Sequence, residues 1–264
     1  MWGRCPMRLC DVGVVGASGR LGSRIVAQAT ELGHGVTLRA GRGYWTGGVP
    51  GVLIDASAPV TLPRIVDFCA THRVPLVSVI SGLTDSDRRL LADLSRDVVV
   101  LRADNLSLGH YLQKYLVTAL AAMLAGAHQP AAEWHVLDRH PATKQHRPSA
   151  TATALVAALQ SSGATDVGLD SVRGGLPVCD HTVETVIGQE TVAVSHSVRE
   201  WSAYAGSAVR AAQWLHEGSM RAKSSGPRTG GFLSMDDYYA QYSAAAFPIV
   251  TTPPITTSPE GVRS

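Results

Sequence analysis

The chain has 264 residues, of which 45% are hydrophobic and 17% charged, with a formal net charge of +2. That length suits one large domain or two modest ones, and so balanced a charge gives no global field for gathering nucleic-acid phosphates. The longest apolar run, "YLVTALAAMLAGA" (115–127), falls short of the roughly 20 residues of a membrane-crossing helix. The start, "MWGRCPMRLCDVGVVG", has neither a signal core nor a cleavage site. Cys5, Cys10, Cys69 and Cys179 form no paired framework and no zinc spacing, which points to reduced thiols. A cytoplasmic protein without a nucleic-acid or membrane partner is expected.

In chain order, short β-branched runs alternate with helix-period segments over the first hundred residues. "DVGVVG", "GVTLRA", "GVLIDAS", "PLVSVI" and "DVVVLRA" predict buried strands, and 21–33, 60–72 and 85–95 predict helices. Thr84 is placed to cap the last of these, with acids in its first turn where the helix dipole favours them. Such alternation means parallel strands with helical crossovers, hence an α/β doubly wound sheet. Beyond about residue 106 the texture changes to a long helix (107–125), a strand "AEWHVLDRH", a loop, and a helix at 149–161. Strands around 168–174, 182–187 and 190–197 follow without helices between them. That run predicts a second, α+β domain with an open mixed sheet. "SAYAGSAVRAAQWLHEG" returns to helix, expected to end at Gly218. The Pro-, Thr- and Ser-rich segment 246–264 reads as a flexible tail. The expected division is a dinucleotide domain of 1–108 and 202–245 and a substrate domain of 109–201.

Gly16, Gly19 and Gly22 stand at the turn from the first strand into the first helix. A pyrophosphate can lie against a helix N-terminus only where no side chain holds the backbone away. The G-x-x-G-x-x-G spacing departs from the commoner G-x-G-x-x-G, and its weight comes from its place inside a βα unit. At the end of the second strand a free ribose 2′-OH calls for an acid, whereas a 2′-phosphate calls for an arginine. Here "LRAGRGYW" supplies Arg39 and Arg42 and no acid, and Arg20 follows the glycines. NADPH is therefore expected, with NADH as the alternative.

"HPATKQHRPSATA" (140–152) holds the second constellation. His140 and Lys144 fall in a loop after a strand, and "PSATA" opens a helix whose first amides, from Ser149, Ala150 and Thr151, are unpaired donors. Such an end receives a carboxylate, and a neighbouring lysine brings both charge and a proton. The pairing suits reduction of an unsaturated acid. A solvated turn of Lys, His and Arg would carry the same residues.

These residues carry a resemblance. "GASGRLG", "DNLSLGHYL", "HPATKQHRPSATA" and "VRGGLPVCDHTVETVIGQETVAVSH", in that order, are similar to the dihydrodipicolinate reductase family over about residues 9 to 240. The resemblance implies a Rossmann-type nucleotide domain, a mixed-sheet substrate domain, and reduction of a cyclic imine carboxylate of the lysine pathway by a nicotinamide nucleotide. It implies His140 and Lys144 as the catalytic pair, with Lys144 the proton donor, and Ser149, Ala150, Thr151 and Ser81 as substrate contacts. Around the nucleotide it implies Gly16, Ser18, Gly19, Arg20, Leu21, Gly22, Arg39, Arg42, Ala56, Ser57, Ile80, Ser81, Gly82, Asp104, Asn105 and Leu106. "DASAP" (55–59) matches the family's Asp-x-Thr/Ser-x-Pro, Asn105 and Ser107 its hinge, and His181 and Thr182 its "HT" strand. A homotetramer through the substrate-domain sheet is implied, and no metal.

The departures from the family pattern lie in the recognition shell. The second loop histidine is Pro141, the acid is His146, and the helix-start glycine is Ala150. The Gly-Thr-Thr-Gly loop reads "VISG" (79–82), and an expected arginine is replaced by Trp201, with Arg199 two residues earlier. Losing charge-assisted contacts worth roughly 1.5–3 kcal/mol each points to a relative acting on the family substrate or on a related, less polar imine or enoate in specialised metabolism.

Two other readings remain. A short-chain dehydrogenase needs Tyr-x-x-x-Lys, and Tyr111 and Lys114 are one residue too close. A catalytically inactive NADP(H)-binding sensor would keep the glycine turn without turnover. Among the other histidines, His34, His72 and His216 read as solvated, and His135 as a packed strand residue. A zinc site from His135, His140 and His146 has no supporting ligand spacing.

Overall fold

The computed structural model describes residues 9–126, 132–175, 178–224 and 230–246. Eleven strands among these form two sheets. The first runs β1 (Asp11–Val15), α1 (Arg20–Glu31), β2 (Gly35–Gly41), β3 (Tyr44–Gly47) and β4 (Val52–Asp55). It continues through α2 (Leu62–His72), β5 (Leu76–Ser78), α3 (Asp85–Leu94) and β6 (Val99–Arg102). Its order is β11-β6-β5-β4-β1-β2-β3, with β11 at Gly231–Ser234. All neighbours are parallel except the β2/β3 hairpin.

Helices cover both faces of this sheet, as the near-continuous apolar strands require. On one face Ile25 and Ala29 of α1 meet Val12, Val14, Val52 and Ile54, with Ala205, Val209 and Ala212 of α6 (Ser202–Ser224) and Tyr238 of α7 (Met235–Ala246) completing the cluster. On the other face Ile65 of α2 and Leu91 of α3 pack on Leu38, Leu53, Leu76 and Val100. Thr84 caps α3 as expected: its hydroxyl accepts from the Asp87 amide at 3.2 Å, and Asp87 accepts the Thr84 amide at 2.8 Å in return.

The second sheet, of order β10-β9-β7-β8, is mixed: β7 (Glu133–His140) pairs parallel with β8 (Val167–Arg173) and antiparallel with β9 (Cys179–Ile187), which pairs antiparallel with β10 (Glu190–Val198). One face is covered by α4 (Leu108–Gly126) and α5 (Ala150–Ser161), with Val117, Ala121, Leu155 and Leu159 packed on Trp134, Val136 and Val183. The other face carries Thr182, Glu184 and the exposed Val172 and Val186, and among the described residues nothing covers it.

Four details correct the sequence reading. The last long helix does not stop at Gly218 but continues to Ser224. An interior glycine costs about 1 kcal/mol, less than the buried face from Ala205 to Leu215 supplies. β3 and β11 were not expected, because strands of four residues carry too short a pattern to register, and α7 was not expected either. His34 is buried against Cys10, whose amide donates to its Nδ1 at 3.2 Å. His135 is not packed in the core but pairs with Asp170 at 2.9 Å. Cys10, Cys69 and Cys179 are free and buried. Cys5 and residues 247–264 of the expected tail lie outside the described residues, and Ala246, expected as its first residue, ends α7. Among those residues no helix is long and apolar enough to cross a membrane.

Candidate active site

The first side of the candidate site is made of backbone. β1 lies between β4 and β2, so the chain reverses its winding direction at β1, the switch point where open α/β sheets bind ligands beyond the strands' carboxyl ends. There Gly16 adopts φ +81°, and a Cβ on it would stand 2.4 Å from the Ala56 carbonyl oxygen. A Cβ on Gly22 would stand 2.0 Å from the carbonyl oxygen of Gly16. Only glycine lets the turn fold this tightly beneath α1. Gly19 is the N-cap and offers no side chain to the first amides of the helix, so the amides of Arg20, Leu21 and Gly22 face outward uncapped. That arrangement fits a pyrophosphate.

The other residues assigned to the nucleotide gather at the same edge. Arg20 is exposed and stacks over the Trp201 ring at 5.5 Å, which ties the glycine turn to the start of α6. Arg39 is exposed near the end of β2, and Arg42 lies in the β2/β3 turn. After β4, Asp55 is fully buried and accepts the Ser57 amide at 3.0 Å and hydroxyl at 2.5 Å, shaping the Ala56 and Ser57 turn that faces Gly16. Burial pushes its carboxyl up to about 6, against the two Ser57 bonds. Ile80 is buried, whereas Ser81 and Gly82 are exposed, with Gly82 at φ +75° and open space around it. Asp104 pairs with Arg102, and Leu106 is buried with its carbonyl accepting Tyr239 Oη at 2.7 Å.

The second side is made of side chains, converging from four elements. The register sets Asp138 of β7 opposite both Ser171 of β8 and His181 of β9, and sets His140 opposite Arg173. Asp138 is fully buried. Its Oδ2 accepts the Ser149 amide (3.0 Å), the Ser171 hydroxyl (2.9 Å) and the Arg173 guanidinium (3.1 Å). Its Oδ1 lies 2.8 Å from His140 Nδ1 and 3.2 Å from His181 Nε2. Burial alone would raise this carboxyl, but the Ser149 and Ser171 donors and His140 outweigh it and hold it down at about 2. The two imidazoles meet edge to face at 5.2 Å. Burial lowers both, His181 to about 4, in spite of the carboxylate between them. The hub at neutral pH is an aspartate and an arginine of opposite charge with two neutral histidines.

Ser149 caps α5, its hydroxyl accepting from the Ala152 amide at 3.2 Å and lying 3.2 Å from His181 Nε2. Here the sequence reading is corrected: the Ser149 amide is not free, because it is committed to Asp138. The first-turn amides left for a ligand are those of Ala150 and Thr151. Lys144 is exposed on the loop between β7 and α5, and its charge is felt at His140 and at Cys179. Pro141 and His146 flank it, His146 exposed. The two sides meet where Asn105 Nδ2 donates to Thr151 Oγ1 at 3.1 Å, while Asn105 Oδ1 holds the Ser107 amide at 2.9 Å.

Asp138, Ser171 and Arg173 were not singled out from sequence. The usable signal was the period-2 pattern of β7: Trp134 and Val136 face inward, so Asp138 and His140 occupy the next two inward positions. The same pleat turns His135 to the opposite face, so the trio of His135, His140 and His146 does not assemble. Asp138, His140 and His181 do bring three ligating atoms within 4.8 Å. The Arg173 guanidinium already meets the carboxylate charge that a metal ion would otherwise neutralise.

Comparisons with known proteins agree with this architecture. The family model "Dihydrodipicolinate reductase, C-terminus" matches residues 109–237 and "Dihydrodipicolinate reductase, N-terminus" matches 46–106. The chain is 32% identical over 218 residues to the 4-hydroxy-tetrahydrodipicolinate reductase of Xanthomonas euvesicatoria pv. vesicatoria (strain 85-10), covering 76% of this chain and 89% of that one. It is 28% identical over 271 residues to the enzyme of the same name from Archaeoglobus fulgidus, covering 86% and 98%. Among solved structures, dipicolinate-bound dihydrodipicolinate reductase from Paenisporosarcina sp. TG-14 superposes with a TM-score of 0.63 at 14% identity, covering 86% of this chain and 98% of that one. That likeness is one of fold. The N-terminal family model begins after the glycine turn, so the fit of that turn to a nucleotide stands on its own geometry.

Proposed function

Because the chain belongs to the dihydrodipicolinate reductase family, we propose that it reduces the double bond of a cyclic imine carboxylate, 4-hydroxy-tetrahydrodipicolinate or a close relative of it, with NADPH. The observation that supports this most is the bond from Asn105 to Thr151, 3.1 Å long. It joins the carboxyl edge of the nucleotide sheet to the first turn of α5, beside His140 and on the helix that Lys144 precedes. A ligand on the amides of Ala150 and Thr151 therefore lies next to the end of β6.

The nucleotide would be held by the amides of Arg20, Leu21 and Gly22, with the Ala56, Ser57, Ile80, Ser81, Gly82, Asp104 and Leu106 edge beneath it. Arg20, Arg39 and Arg42 supply positive charge for a 2′-phosphate, and the β2 end has no acid to favour a free ribose hydroxyl. When bound, reduced nicotinamide supplies the hydride. This chain's residues do the rest. The α5 amides and Ser81 orient the substrate carboxylate, and the helix dipole favours its charge. Lys144 gives its ammonium proton to the electron-rich centre that hydride addition leaves in the substrate, becomes a neutral amine, and regains a proton from water, to which it is exposed. His140, neutral and held by Asp138, stands beside it as a hydrogen-bonding partner. Closure of residues 109–201 on the nucleotide domain about 105–109 would exclude water and strengthen these charges. The uncovered face of the second sheet supports assembly through that face into a homotetramer, and the reaction draws on a cytoplasmic nucleotide pool.

Pro141, Ala150, Trp201 and the 79–82 loop remove polar contacts, so the best substrate is either the family one bound weakly or a less polar cyclic imine or enoate. The test is the loss of nicotinamide absorbance when purified protein and NADPH meet 4-hydroxy-tetrahydrodipicolinate and a panel of imine and enoate carboxylates. Turnover of at least one is expected. Tight NADPH binding without oxidation by any of them would replace this reading with that of a nucleotide-binding sensor.

A further inference from the structure

The loop that carries Lys144 has little packing of its own: residues 142 to 148 are all exposed. Its register is held from behind by one side chain. Arg173 extends from β8, its Cα opposite that of His140, and its side chain is only 1% exposed. Its Nε donates to the carbonyl oxygen of Lys144 at 3.0 Å, and one terminal nitrogen donates both to the carbonyl oxygen of His146 and, at 3.1 Å, to Asp138 Oδ2. The other terminal nitrogen donates to the Val172 carbonyl at 3.0 Å. A guanidinium is planar and its donors are fixed relative to one another. The Lys144 backbone and the carboxylate that holds His140 are therefore anchored to a single rigid plane.

We propose that Arg173 is a positioning residue for the reduction: through the Lys144 carbonyl and the Asp138 carboxylate it sets the place of the Lys144 ammonium relative to His140. The inference rests on the reading of Lys144 as proton donor, and it assigns Arg173 no contact with substrate or nucleotide. A lysine at this position keeps the charge beside Asp138 but cannot span both loop carbonyls and the carboxylate.

The full-length chain is compared with Lys144→Ala, Arg173→Ala, Arg173→Lys and the double Lys144→Ala/Arg173→Ala. Turnover is measured with NADPH and 4-hydroxy-tetrahydrodipicolinate, and NADPH affinity by nucleotide fluorescence. Arg173→Ala is expected to lower kcat about 10-fold to 100-fold, at or below the roughly 10²-fold or more that losing a general acid outright costs, with KM changed less and NADPH affinity unchanged. Guanidinium ion added to the assay should restore activity several-fold. In the Lys144→Ala background the further loss should be less than about twofold, because residues acting as one unit do not add. Should Arg173→Ala fail to fold, Arg173→Lys decides, with reduced kcat at a nearly unchanged melting temperature as the expected result. Full kcat in Arg173→Lys, or an undiminished Arg173→Ala loss in the Lys144→Ala background, overturns the inference. Full turnover in Lys144→Ala alone removes the proton-donor reading, and the inference with it.

Discussion

The two sides of the candidate site are made of different material. Where the nucleotide is proposed to lie, the contacts are main chain: a glycine at φ +81°, an uncapped helix start, and two positions where a Cβ would collide with a carbonyl 2.0 to 2.4 Å away. Where the substrate is proposed to lie, side chains from β7, β8, β9 and the start of α5 meet on one buried carboxylate. A main-chain site tolerates almost any side chain except at its glycines, whereas a side-chain hub depends on every member, since removing one leaves another buried without a partner.

The comparison is broken most sharply by substituting one residue on each side and measuring both binding and turnover. Lys144→Ala should reduce turnover about 10²-fold or more, as the loss of a general acid does, with NADPH affinity unaltered by titration. Equal losses in both would mean that the two sides are not separable. Gly22→Ala should do the reverse and abolish most NADPH binding, because overpacking a tight turn costs about 1–3 kcal/mol. A normal dissociation constant would show that the turn is merely structural. Arg39→Ala should weaken NADPH about tenfold or more, the value of a charge-assisted bond, and leave NADH almost unchanged; a parallel loss of both would reject the 2′-phosphate assignment.

The smallest effect is on stability. Burial lowers His110 and His181 to about 4, so the unfolded chain takes up their protons near pH 6.5 while the folded chain does not. Their contribution to stability is complete above about 6.5 and declines as pH falls toward 4. Asp55, raised to about 6, acts in the opposite sense and gains stability as pH falls from 6 toward its unfolded value near 3.8. Melting temperatures at pH 7 and pH 5, about neutral and midway through this window, should therefore drop less on acidification for His181→Gln than for the parent chain. An unchanged difference would mean that His181 is not buried neutral.

The features proposed to hold a nucleotide are visible in the chain order of residues, since Gly16, Gly19 and Gly22 lie within one turn and Arg39 stands near the end of the next strand. His140 and Lys144 also stand out as candidates, because they lie close before the α5 cap. Asp138 and Arg173 do not. They are 35 residues apart and meet only because β7 and β8 pair in parallel through an α5 crossover, which brings Ser171 and Arg173 alongside Asp138 and His140. The Ser149 amide was misjudged for the same reason: its partner comes from another element. β3 and β11 escaped notice because four residues hold too little periodicity.

By itself, the order of residues determined the doubly wound sheet, the glycine turn, the change to a mixed sheet and the loop that carries the lysine, all of which depend on spacing within a few tens of residues. Only the tertiary structure decided that Asp138 is the carboxylate on which two histidines, a helix start and a buried arginine converge. A charge can remain ionised in the interior only when several donors arrive around it together, and strand register is what brings them there.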